Sequence, residues 1–504
     1  MVVSISSICL TAVGLSSLSG LAAAQHIISA AQKGAQCCNL LTKAFPSKVA
    51  QNGTTAYTTE DQNFWSTSEW LSPSCIFEPT QAKDVAKAVK LFADNECEFA
   101  IRGGGHSAVP GAANIDDGIL ITFTNMKNVS IHTDKEGAQF VSVQPGAVWG
   151  DVYAYCDQYS VVPMCGRYYP VGTGLALGAG FSFLSNENGF AVDNVKTYEV
   201  ILADGTILEA SQTSHPDLFR SLKGGGNNFG VVTRYDLYLY QGGPVVGGQI
   251  QTPENQTEKW LDLTYDYSVR QAVVDVKTHA LPAILYLGDT DEVLTSTPVY
   301  YNAHNSSALP PIMAGWYNMT ASSDTVRQAS YAALAKEFNA NQGDGSFQEQ
   351  RTYTITANRE EYARVWYSFL EWGRSIENVT GLTLLHCNMP LTPRMMEAGV
   401  EKGSNSLGLA GTDDVLSILY FGLTLETYNE TIVNSFNSIF ATLQEESKSR
   451  GLLNPYIMWN YAGLGQEVFP SYGYSSLGFM KKVSKRYDPK GVFQRLVPGG
   501  FKLN

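Results

Sequence analysis

The chain has 504 residues, with 34 Lys and Arg against 47 Asp and Glu and a formal net charge of −13. At 44% apolar residues it holds ample material for buried cores, which excludes disordered, collagen-like and coiled-coil classes, and its length suits two packed domains. The acidic balance and the lack of a Lys/Arg-rich run set nucleic-acid partners aside, because neutralising phosphates needs a basic face.

The first charged residue is Lys33, and the stretch from Met1 ends Leu21-Ala22-Ala23-Ala24-Gln25, small residues that fit cleavage after Ala24. A signal peptide over 1–24 and a secreted, extracellular protein are expected. The missing basic n-region leaves a buried helix or a signal anchor as the alternative. No later stretch is long and apolar enough to span a membrane, so no membrane contact is expected after cleavage. Asn-x-Ser/Thr sequons at Asn52, Asn128, Asn255, Asn305, Asn318, Asn378 and Asn429 give modest support to export and a glycoprotein. Cleavage removes Cys9 and leaves Cys37, Cys38, Cys75, Cys97, Cys156, Cys165 and Cys387, with no Cys-x-x-Cys pair and no zinc or redox signature. Outside the cell, one of Cys37 and Cys38 pairing with Cys97, and Cys156 pairing with Cys165, are natural expectations, although spacing leaves the connectivity open.

Residues 80–97 place Val85, Ala88, Val89 and Phe92 at helical spacing with Thr80 as the N-cap. From Phe99 to Tyr240 the texture becomes short apolar strands punctuated by glycine. They run Phe99 to Arg102, Ile119 to Phe123, Phe140 to Val143, and Tyr198 to Leu202 turning at Asp204-Gly205 into Ile207 to Glu209. An α+β domain is predicted. Gln241-Gly242-Gly243-Pro244 breaks the pattern, and mixed strands and helices continue to about Leu453. The remainder predicts a strand at Tyr456 to Trp459 and a helix near Ser475 to Arg486.

The densest chemical signal is Arg102-Gly103-Gly104-Gly105-His106-Ser107, three glycines after a short strand, whose bare N–H groups can wrap a diphosphate. A tight turn explains the glycines alone. A neutral imidazole held beside a cofactor by that loop is also a nucleophile able to bond it, although a lone histidine is more often structural. A second cluster, Val171-Gly172-Thr173-Gly174-Leu175-Ala176-Leu177-Gly178-Ala179-Gly180, fails the Gly-x-Gly-x-x-Gly fingerprint at Leu177, and close backbone packing is its bland reading. A third, Lys223 to Gly230, lacks the order of a P-loop. Three such loops in one domain suit a long ligand contacted by backbone. Val109 stands where a serine nucleophile elbow starting at Gly105 requires glycine, which disfavours a hydrolase. The histidines show no metal-ligand spacing, so no metal is expected.

Taken together, these segments resemble the berberine-bridge-enzyme-like branch of the vanillyl-alcohol-oxidase superfamily, secreted fungal FAD-linked oxidoreductases with a PCMH-type FAD-binding domain. The matching pieces are Arg102 to Ser107, Gln144-Pro145-Gly146 to Tyr153, Val171 to Phe181, Gly189 to Val195, Gly224 to Gly230, Asn460-Tyr461 and Arg486 to Leu503. The resemblance covers 60–240 and 454–504; the middle matches only in length and position. It implies an α+β fold whose two-part FAD domain (25–242, core about 65–242, completed by 454–504) carries an inserted substrate domain (243–453). That domain would be built on an antiparallel sheet flanked by helices. The cofactor-binding residues it implies are Arg102, Gly103, Gly104, Gly105, His106, Ser107, Pro145, Gly146, Val171, Gly172, Gly174, Gly178, Gly180, Val195, Asn460 and Tyr461. His106 falls where the family joins the flavin 8α-methyl group to a histidine. Relatives with a second, cysteinyl bond place Cys where Tyr168 stands here, and Cys165 lies three residues too early, so one covalent bond through His106 is implied.

Tyr461 falls where several relatives keep a catalytic base. A phenol ordinarily ionises near pH 10, so a positive or hydrogen-bonding neighbour, expected from the substrate domain, must depress it. The expected chemistry is proton abstraction by Tyr461, hydride transfer from a small organic substrate to flavin N5, and reoxidation by oxygen. The substrate is an alcohol or activated C–H of a fungal secondary metabolite, with an oligosaccharide as the alternative and a non-catalytic flavin-binding protein as the alternative of another class. Trp316, Tyr317, Tyr367 and Trp372 are candidate lining residues, with core packing as their ordinary role. Oligomeric state is open, with a monomer expected.

Overall fold

Apolar alternation organises the chain into three sheets in a computed structural model that describes residues 29–304, 306–339, 345–376 and 379–503. The expected signal segment and the sequons at Asn305 and Asn378 lie outside the described residues. The first sheet runs in the order Val49–Gln51, Cys75–Phe77, Ile119–Thr122, Phe99–Arg102. Its last three strands are parallel, and these three are almost wholly buried, as a sheet covered on both faces requires. Helices Ala30–Ala44 and Ala82–Asp94 pack on it through Leu41, Val85, Val89 and Phe92. The second helix starts differently from the sequence expectation. Gln81 is the N-cap, and Thr80 donates its N–H and hydroxyl to the carboxylate of Asp84 in the first turn, where negative charge suits the helix dipole.

Two disulfides, Cys37 to Cys97 and Cys38 to Cys75, fasten the first helix to this lobe. The expected bond between Cys156 and Cys165 is absent. Both sulfurs are thiols inside the solvent-excluded core, and burial pushes the Cys156 thiol up to about 12.

The second sheet is antiparallel, in the order Val129–Thr133, Gln139–Val143, Val231–Gln241, Val195–Ile201, Ile207–Ser211, with Val161–Pro163 paired to the end of the long central strand. The third is a ten-stranded antiparallel sheet built from residues 245–454. Its strands show a period of two. In Leu416–Leu425, Leu419, Phe421, Leu423 and Leu425 face a core shared with helices Arg359–Arg374 and Glu430–Ser449, whereas Leu416 and Ile418 join the core beneath the second sheet. Asn429 caps the second of these helices by accepting from the N–H of Ile432, and Val433, Phe436, Phe440 and Leu443 form its buried stripe. Strand register sets Ala283, Cys387, Tyr420 and Thr352 in one row across the sheet.

The C-terminal segment returns to both smaller sheets. Helix Gly473–Tyr487 buries Met480 and Val483 in the second core, and Val492, Phe493, Leu496 and Val497 enter the first, where Phe99 N–H donates to Leu496 O at 2.8 Å. The strand expected at Tyr456 to Trp459 does not form. Pairing stops at Leu453–Asn454, and the chain leaves the sheet for a single turn, Trp459–Tyr461, because Asn460 is drawn to backbone N–H groups of the second glycine cluster. Among the described residues no helix is long and apolar enough to cross a membrane.

Candidate active site

The glycine loop after strand Phe99–Arg102 meets the second cluster backbone to backbone. A Cβ on Gly104 would lie 2.6 Å from Gly172 N, and one on Gly105, at φ +68°, would lie 2.7 Å from Asn63 O. No other residue fits either position. Pro145-Gly146 closes a third side. Thr173 donates its hydroxyl to Pro145 O at 3.1 Å, and a Cβ on Gly146 would collide with Phe123 O. Ser107 Oγ accepts from Val109 N–H, Val171 O accepts from Trp149 N–H, and Gly174 is open on its Cβ side. Val195 begins a buried strand in the second core.

His106 faces a cavity of about 270 Å³ lined by Asn63, Phe64, Trp65, Trp70, Pro170 and Gly345. Its ring stacks on Trp65 with centroids 4.5 Å apart, and burial pushes its pKa down to about 4, so the imidazole is neutral. Arg102 turns away from this cavity. Its guanidinium, 2% exposed, donates to both the backbone carbonyl and the carboxylate of Glu60. Gly178 and Gly180 carry the other end of the cradle. Asn460 Oδ1 accepts from Ala179 N–H at 2.7 Å and Gly180 N–H at 3.0 Å, while its Nδ2 donates to Leu175 O at 3.2 Å. Gln350 steadies the same turn from the large sheet by donating to Ala462 O.

That turn delivers Tyr461 to Arg167, whose Nη2 donates to the phenol oxygen at 3.1 Å. Arg167 Nη1 lies 3.2 Å from His279 Nε2, its Nη2 lies 3.5 Å from Met389 Sδ, and its guanidinium lies 5.1 Å from the Phe181 ring centroid. Tyr461 packs between Phe181 and Tyr420, at centroid distances of 6.3 and 5.3 Å. Burial raises the Tyr461 pKa above 10, and the Arg167 charge and hydrogen bond oppose that rise without cancelling it. The expected depressing neighbour therefore exists, but it precedes Tyr168 in the 25–242 segment rather than coming from the substrate domain, and burial outweighs it. His279, from the large sheet, holds it in place.

Sequence reasoning missed Arg167, His279, Met389 and Trp65. One signal was present: Arg167 is a lone charge between Val161 and Phe181, where the other side chains are apolar, aromatic or small. Trp316, Tyr317, Tyr367 and Trp372 lie elsewhere. Trp316 is buried with its indole donating to Gln271, Trp372 donates to Ser435, Tyr367 donates to Glu258, and Tyr317 is exposed.

The cradle fits FAD. Glycines bring three backbone segments together, and the indole N–H groups of Trp65 and Trp459 are buried without a partner among the described residues, at opposite ends of the glycine loops. The FAD binding domain family matches residues 73–211. The chain is 33% identical over 461 residues to the FAD-dependent monooxygenase tpcD of Cochliobolus heterostrophus, covering 88% of this chain and 87% of that protein. It is 29% identical over 452 residues to the bifunctional solanapyrone synthase of Alternaria solani, covering 89% and 85%. Its fold is similar to that of Physcomitrella patens BBE-like 1, with a TM-score of 0.72 at 17% identity over 93% and 99% of the two chains. Xylooligosaccharide oxidase from Myceliophthora thermophila is also similar in fold, at a TM-score of 0.72, 20% identity and 91% and 98% coverage. The chain belongs to the family of fungal FAD-dependent monooxygenases that includes tpcD, and it shares its fold with the berberine-bridge-enzyme-like proteins. It is an FAD-dependent oxidoreductase acting on a small molecule.

Proposed function

We propose that this chain oxidises an alcohol or activated C–H group of a small fungal secondary metabolite, with Tyr461 receiving the substrate proton and oxygen as the final acceptor. The observation that carries this reading is the contact between Arg167 Nη2 and Tyr461 Oη. A guanidinium only donates, so the phenol oxygen accepts there and its charge, once ionised, is held by Arg167. Bound FAD supplies the two-electron acceptor. Residues 103–107, Pro145, Gly146, Val171, Gly172, Gly174, Gly178, Gly180 and Asn460 would hold it, with His106 as the single point of covalent attachment. Arg102 and Val195 would support these loops from behind, through Glu60 and the second core.

The wall around Tyr461, made by Phe181, Cys387, Met389 and Tyr420, suits a flat apolar substrate better than a polyhydroxylated one. The likeness to solanapyrone synthase supports the same class, whereas the likeness to xylooligosaccharide oxidase is one of fold alone. Export belongs to the proposal, supported by the two disulfides and by the exposure of Asn52, Asn128, Asn255, Asn318 and Asn429.

Turnover under ¹⁸O₂ tests the reaction type. One peroxide per substrate and no label in the product is the expected result. Labelled product would replace this reading with oxygen insertion, the activity named for several relatives. Acid denaturation tests the attachment: the yellow chromophore should precipitate with wild-type protein and stay in solution for His106→Ala.

A further inference from the structure

We infer that Arg167 is the oxyanion receptor of the active site, and that the substrate docks on it through a phenol or enol hydroxyl whose charge Arg167 then holds. This inference rests on the proposed function and narrows its substrate class.

Among the described residues, most other buried or half-buried guanidinium groups have a carboxylate, the half-buried Arg220 instead donating to the backbone carbonyl of Asn405. Arg102 has Glu60, Arg351 has Glu349, Arg364 has Glu361, and Arg234 has Glu199, Glu209 and Asp236. Arg167 is 4% exposed, and among the described residues no carboxylate lies in ion-pair contact with it. Its partners are an imidazole, a thioether, a phenol and the face of a phenyl ring, all neutral. A buried charge without a counter-ion is strongly unfavourable unless a ligand completes it.

The groups around it do not supply the anion at neutral pH. Burial raises the phenols of Tyr168, Tyr267, Tyr300, Tyr420 and Tyr461 and pushes the Cys387 thiol up to about 12. His279 is held neutral by burial and by Arg167 itself. Three hydrogen bonds occupy part of the five-donor fork, leaving N–H groups for a ligand. One negative charge therefore belongs at Arg167, carried by a substrate oxygen. As the pH rises and Tyr461 ionises, breaking the substrate O–H sends its proton to Tyr461 and passes the charge to the substrate oxygen. That transfer is favourable only when the substrate hydroxyl is more acidic than the buried phenol, which holds for phenols and enols and not for sugar alcohols.

The test uses the FAD-loaded protein and 4-nitrophenol, whose ionisation is read from its yellow colour. The apparent pKa of bound 4-nitrophenol should fall by about one unit, about tenfold in preference for the anion, and 4-nitroanisole should bind more weakly. Arg167→Met should abolish the shift while keeping FAD content, and Arg167→Lys should keep its sign with weaker binding. The wild-type comparison of phenol with anisole needs no variant. The inference is overturned by unsaturable binding, by a shift that persists in Arg167→Met, or by loss of FAD in that variant, which would make the cofactor the counter-ion. Tyr461→Phe separates the two readings. Full turnover in that variant sinks the proton-acceptor role, whereas phenolate binding insensitive to Arg167 sinks the receptor alone.

Discussion

Arg102 and Arg167 lie in the same half of the molecule at nearly equal depth, 2% and 4% exposed, yet their charges are handled in opposite ways. Arg102 stands at the end of a strand, and Glu60, itself steadied by the hydroxyl of Thr124 at 2.9 Å, neutralises it within the protein. Arg167 is surrounded by neutral acceptors that orient it without cancelling its charge. The first arrangement belongs to the scaffold under the glycine loop. The second is tolerable only as half of a pair whose other half arrives from outside.

The contrast is broken most directly by removing one side of each arrangement. Glu60→Ala should cost about 3–5 kcal/mol, because it strands the buried Arg102 charge, whereas Arg167→Met should leave thermal stability unchanged or raise it. Equal destabilisation by both, seen in thermal unfolding, would erase the distinction. Next in size, Tyr461→Phe should lower kcat by about 10²-fold or more with FAD content intact, as expected for loss of a proton acceptor.

The pH profile sharpens the comparison further. Burial raises the Tyr461 pKa and Arg167 pulls it back, so activity should climb with rising pH as the phenol ionises. Arg167→Lys, which weakens that pull, should move the climb to higher pH by about one unit. An unmoved profile would detach Arg167 from the titrating group. The smallest effect is expected at His279. His279→Gln keeps an acceptor for the guanidinium and should be near wild type. His279→Leu should lose roughly tenfold in kcat/KM, about 1.4 kcal/mol, with the same alkaline displacement of the profile.

Much of this was legible in the amino-acid order. The triple glycine of 103–105 signals a backbone approach that tolerates no side chain, and the atomic distances at Gly104 and Gly105 agree. Asn460-Tyr461 was picked out only through the family resemblance. The strand expected at Tyr456 to Trp459 failed because apolar alternation registers burial, whereas the hydrogen bonds of Asn460 to Ala179 and Gly180, which redirect the chain there, are long-range. Arg167 was overlooked for a related reason: its meaning lies in what surrounds it, and His279, Met389 and Tyr461 converge from positions 112 to 294 residues away. Cys156 and Cys165 invited pairing by proximity in sequence, but which cysteines bond depends on how the folded lobe arranges them.

The return of residues 492–497 into the core of the first sheet has a consequence for biosynthesis. That lobe's interior stays incomplete until translation has reached Leu496, since Val492 and Phe493 belong to it and Leu496 receives the hydrogen bond from Phe99. Assembly of that lobe must then await synthesis of residues 492–497, and a chain stopped before Val492 is expected to fold incompletely and to retain little FAD.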